Sequence, residues 1–97
     1  MNIKEQLCRI IPGKTYPSYV KVEEKDKSGK QMLVEFHLNS FFVGMYCAVH
    51  INGNVATQTG DYDNKKFTRG LKKDLAKAVA RGAKIEIGSI RDCKLTV

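Results

Sequence analysis

Gln31-Met32-Leu33-Val34-Glu35-Phe36-His37-Leu38 is the stretch that decides the fold. Met32, Val34, Phe36 and Leu38 fall on one side, and Leu33, Glu35 and His37 on the other. That period of two is the mark of a strand with one buried face. After Asn39-Ser40 comes the most apolar segment, Phe41 to Ile51. Phe41, Val43, Met45, Cys47, Val49 and Ile51 share one face; Phe42, Tyr46, Ala48 and His50 share the other. A strand apolar on both faces reads as central, or as covered on its second side. Asn52-Gly53 then predicts a hairpin turn, and Asn54 to Thr59 returns as an edge-like strand rich in Thr and Gln. Upstream, Tyr19 to Lys25 sets Val20 and Val22 against Lys21 and Glu23. Asp26-Lys27-Ser28-Gly29 joins it tightly to the 31–38 strand.

Helices flank this run of strands. Residues 2–11 predict a short one, with Asn2 as cap, Glu5 three residues later, and Ile3, Leu7 and Ile10 as an apolar stripe. Pro12-Gly13 stops it, and residues 12–18 read as a loop. Residues 64–81 predict the longer helix. Phe67, Leu71, Leu75 and Val79 recur every four residues with Ala78 in the same stripe. Asp61 or Asp63 can cap it, and Arg81-Gly82 ends it. Gly70 inside it costs up to about 1 kcal/mol against alanine. Lys84 to Gly88 predicts a strand, Gly88-Ser89 a turn or bulge, and Cys93, Leu95 and Val97 a last strand. The order is α-β-β-β-β-α-β, with room for one further β. The expected class is α+β: two layers, a mainly antiparallel sheet of about five strands, and two helices on one face.

The totals fit one domain over residues 1–97, with 42 % hydrophobic and 28 % charged residues. No apolar run approaches the ~20 residues of a membrane helix. Cys8, Cys47 and Cys93 are odd in number, widely spaced and free of any Cys-x-x-Cys pair. The expected setting is the cytoplasm, with free thiols and no membrane association.

Net charge is +7, and it is uneven. Residues 1–60 hold seven Lys/Arg against five Asp/Glu; residues 61–97 hold ten against five. On a helical wheel, Lys65, Lys66, Arg69, Lys72, Lys73 and Lys77 lie opposite the apolar stripe, with Arg81 at the end and only Asp74 opposing. A face used for solubility alone interleaves Glu with Lys to gain i,i+4 pairs. This one does not, and such a face attracts phosphates. Phe42, Tyr46 and Tyr62 are candidate aromatic contacts, while Tyr16 and Tyr19 add to the supply of rings.

His37 and His50 lie on neighbouring predicted strands, with Asp61 and Asp63 within reach in sequence. A metal site needs three or four ligands in fixed geometry, and nothing in these spacings fixes one. There is no Gly-rich phosphate loop after a strand, no Gly-x-Ser-x-Gly elbow and no outstanding carboxylate pair. The sequence therefore predicts neither catalysis nor a metal or cofactor.

Pro17-Ser18-Tyr19 and Lys65-Lys66 resemble, in part, the motifs that open the first strand and the last helix of double-stranded-RNA-binding domains. The resemblance implies phosphate contacts by Lys65, Lys66 and Arg69 across a groove. The chain departs from the family's pattern in its four predicted intervening strands, its single Gly60 before the lysines and its strand after the helix.

The function expected from the residues is that of a small non-catalytic protein. It contacts nucleic-acid phosphates, DNA or RNA, through a basic helix, largely without reading sequence. The alternative is a phage- or mobile-element-type accessory or inhibitor protein that binds a host protein, its basic helix against an acidic surface. The two-sided apolar strand adds the expectation of a partner or a homodimer.

Overall fold

The computed structural model describes residues 2–41, 44–59 and 64–93. The candidate positions Phe42, Tyr62, Asp61 and Asp63, and the strand residues Val43, Leu95 and Val97, lie outside them. Two helices and seven strands follow in chain order: α1 (Ile3–Arg9), β1 (Thr15–Pro17), β2 (Tyr19–Lys25), β3 (Gln31–Phe41), β4 (Gly44–Ile51), β5 (Asn54–Thr59), α2 (Asn64–Ala80), β6 (Lys84–Ile87) and β7 (Ile90–Asp92). β2 to β6 form a five-stranded antiparallel sheet in the order β5-β4-β3-β2-β6. β1 and β7 form a separate two-stranded ribbon. This is the expected α+β arrangement, with two additions.

The additions are β1 and β7. β1 lies in the segment expected to be a loop, and β7 ends before Cys93 instead of running on from it. Their register pairs Thr15 with Asp92, Tyr16 with Arg91 and Pro17 with Ile90. Three-residue strands held only by a distant partner carry no local periodicity, so the alternation rule has nothing to detect. The expected break at Asn39-Ser40 is absent: β3 runs through it to Phe41, and the apolar strand is β4 from Gly44, an interior strand paired on both edges. β4 is next to the β5 edge, and β3 is the middle strand.

Local chemistry sets the turns. Asp26 Oδ1 accepts from the Ser28 amide (2.9 Å), the Ser28 hydroxyl (2.6 Å) and the Lys30 amide (3.0 Å). The Ser28 hydroxyl first, then those amides, hold its carboxyl below the usual range. Asn52 and Gly53 both have positive φ, 51° and 85°, as a tight two-residue hairpin requires. Asn52 also accepts from the Leu33 amide through Oδ1 at 2.9 Å, tying the β4–β5 turn to β3. At the start of α1, the Asn2 side chain accepts the Glu5 amide at 2.9 Å, satisfying one of the helix's free donors.

The core lies on one face of the sheet. Val20, Val22, Leu38, Met45, Cys47 and Ile87 meet Leu71, Leu75 and Ala78 of α2 and Leu7 and Ile10 of the α1 end. Thr68, also fully buried, accepts the Gly13 amide through Oγ1 at 3.2 Å and so joins the first turn of α2 to the loop after α1. Tyr16 is buried on β1, with its hydroxyl donating to Ser40 Oγ at 3.1 Å. Gly88 follows β6 where a Cβ would fall on the Tyr19 ring, with Ser18 Oγ at 2.8 Å, so a side chain there is excluded sterically.

Gly70 is the reverse case. It is exposed, and a Cβ at this position meets nothing within 4 Å. Close packing is therefore not its reason. Gly70→Ala is expected to stabilise the fold by about 0.5–1 kcal/mol, because it removes the helix-propensity penalty. A urea denaturation midpoint lowered by this substitution contradicts that reading.

Candidate nucleic-acid interface

α2 lays Leu71, Leu75 and Ala78 into the core and turns its opposite side to solvent. Lys65, Lys66, Arg69, Lys73 and Lys77 are exposed on that side, and Lys72 is half-buried at its margin. Arg81 follows the last helical residue. The 3.6-residue period delivers this outcome directly from the sequence, because the cations occupy the arc the apolar stripe leaves free.

The first turn of α2 contains no acidic residue. Lys65 and Lys66 sit there instead, at the helix end that carries partial positive charge. Each such placement costs about 0.3–1 kcal/mol relative to a favourable charge at low salt. A face selected for stability alone puts Asp or Glu in those positions. Within the helix, this adds positive charge at an end where the dipole is already positive.

The seven cations are not equivalent. Arg81 reaches back to Glu24 on β2, with Nη2 to Oε1 at 3.1 Å and Nε to Oε2 at 3.4 Å. This exposed pair holds the helix end against the sheet and contributes at most about 1 kcal/mol. Arg81 is thereby paired with a carboxylate and turned from the row. The ion pairs among the described residues are Arg81–Glu24 and Lys21–Glu86 at 3.7 Å, and His37 Nε2 lies 4.0 Å from Glu35 Oε2. Arg69, Lys72, Lys73 and Lys77 take part in none of them. These four form the open part of the face.

Of the aromatic candidates, Tyr46 is the one among the described residues, and it does not join the face. Tyr46 stands opposite Asn39 on β4, between the buried Met45 and Cys47. Its side chain therefore belongs to the face of the sheet away from α2. Sequence reading could not separate these two faces without the position of the helix. Tyr19, Lys21, Glu35, His37 and His50 line the same remote face, by register. The two histidine rings meet edge to face with centroids 4.7 Å apart. Among the described residues, no three His, Cys, Asp or Glu side chains converge as a metal site.

All three cysteines are free. Cys47 is buried, and desolvation pushes its thiol up to about 11; burial, then the Asp92 charge, also raises Cys93. Cys8 is exposed. At pH 8 a disulfide reagent is expected to label Cys8 rapidly and Cys47 only after unfolding, because the thiolate is the nucleophile. A raised folded value means that the unfolded chain loses this proton first. The Cys47 contribution to stability is therefore whole below the ordinary thiol range and falls as pH rises towards about 11. Equal labelling rates for Cys8 and Cys47 in the folded protein contradict this assignment.

Among the described residues, no helix is long and apolar enough to cross a membrane. Comparison with protein-family models, with curated proteins and with solved structures finds no match for the chain.

Proposed function

We propose that this protein is a non-catalytic nucleic-acid-binding protein that grips phosphates with α2 and reads little or no sequence. The observation that carries the proposal is the row of cations on one helix face, with Arg69, Lys73 and Lys77 exposed and, like the half-buried Lys72, outside every ion pair of the described residues. Phosphate contacts of this kind position a protein on nucleic acid without specifying bases. Among the described residues, the aromatic candidate Tyr46 lies across the sheet from the face. Duplex backbone is therefore a better fit than stacked single-stranded bases. The free cysteines fit a cytoplasmic setting.

The test is a titration of two unrelated 20-base-pair duplexes, with an acidic peptide of matched charge as competitor. Affinities for the two duplexes within threefold, and displacement only at large peptide excess, are the expected results. Tight binding of the peptide with none to either duplex overturns the proposal in favour of an acidic protein surface.

A further inference from the structure

The chain carries no Lys, Arg, Asp or Glu from Phe36 to Gly60. Elsewhere charge is dense, since charged residues are 28 % of the whole. In the fold this span is the second half of β3, all of β4 and all of β5. One end of the sheet is thus neutral, and the net charge of +7 is carried by the rest.

The two edges of the sheet differ accordingly. β6 exposes Lys84 and Glu86, the kind of charged guard that keeps an edge from pairing. β5, Asn54-Val55-Ala56-Thr57-Gln58-Thr59, has no charge and no proline. Its outer side has no strand partner among the described residues. Val55 is 55 % exposed and Ile51, at the turn into β5, 38 %. Among the described residues, the edge is guarded by an irregularity in the pairing between Val49 and His50, which adds twist but leaves Thr57, Gln58 and Thr59 in regular register.

We infer that β5 is a self-association edge, pairing antiparallel with β5 of a second copy of this chain. The occupant follows from charge. A partner of opposite sign is drawn to the basic side, whereas a surface depleted of charge suits an uncharged surface such as its own twin. The pairing is self-complementary, since a two-fold axis at Thr57 sets Thr57 against its own equivalent and Ala56 against Gln58 of the second copy, with no charge opposed. It satisfies the outward backbone groups of both edges and covers both Val55 side chains. It also yields a continuous ten-stranded sheet in the order β6-β2-β3-β4-β5-β5-β4-β3-β2-β6. An axis perpendicular to the sheet leaves both α2 helices on one face. If the phosphate-binding reading holds, the dimer offers two cation rows to one ligand; the self-pairing itself does not depend on that reading.

Sedimentation equilibrium of the full chain from 5 to 200 µM, without nucleic acid, tests the inference. The wild type is expected to show a monomer–dimer equilibrium that 0.5 M salt does not dissolve. Thr57→Lys, which places like charges directly across the axis, and Val55→Lys, which puts a charge into the uncharged pairing edge, both at exposed positions, are expected to raise the dimer dissociation constant at least tenfold. Their circular dichroism and thermal midpoints stay those of the wild type. Amide exchange over Asn54–Thr59 slows as wild-type concentration rises. A strictly monomeric wild type at 200 µM overturns the inference. So does a dimer that both lysine variants leave intact.

Discussion

Replacing Arg69, Lys73 and Lys77 together by glutamate is expected to weaken duplex binding at least a hundredfold at 50 mM salt while the fold survives. All three side chains are exposed and outside the ion pairs of the described residues, so their removal leaves no buried group without a partner. They stand four residues apart along α2, one above the next on a single face. Each reversal removes one phosphate contact and adds one repulsion. Losing three of about four contacts removes most of the counterion release that supports such binding. Stability is expected to change by less than about 1 kcal/mol, the usual scale for surface charges. Fluorescence anisotropy against a labelled duplex, alongside a urea melt, separates the two effects. Affinity retained by a folded triple variant places the site elsewhere.

The second large effect is on stability. Leu75 is fully buried in the centre of α2, inside the cluster that joins the helix to the sheet. Leu75→Ala is expected to cost about 3 kcal/mol, within the range measured for buried leucines. For a chain of this length that lowers the thermal midpoint by roughly 15 °C. The size depends on relaxation. A cleft of about 150 Å³ already borders Leu75 between Val34, Phe36 and Leu71, so the truncated side chain enlarges an existing opening. Duplex binding below the new midpoint should persist, since Leu75 faces away from the cations. A thermal shift under 3 °C contradicts the central place given to this residue.

The sheet and the helix were legible because their residues repeat at the right period over enough positions. The β2–β3 and β4–β5 turns were legible because Asp26, Gly29, Asn52 and Gly53 do local chemistry. The ribbon of β1 and β7 was not, because Tyr16 and Arg91 meet only in three dimensions. The candidate site divides the same way. The wheel places six cations of α2 on one face without any knowledge of the sheet. It cannot show that Glu24, on β2, takes Arg81. Nor can it show that Tyr46 lies behind the sheet from α2, a matter of which face the helix covers. The charge-free span from Phe36 to Gly60 was visible in the sequence. Its meaning came only with the fold, which gathers the span at one end of the sheet.

The most direct test of the central claim is the salt dependence of wild-type binding to a 20-base-pair duplex between 50 and 200 mM sodium chloride. With about four phosphate contacts, the slope of log affinity against log salt is expected near −3.6, a loss of roughly a hundredfold across that range. A slope shallower than about −1, or no binding at 50 mM, contradicts a phosphate-gripping α2.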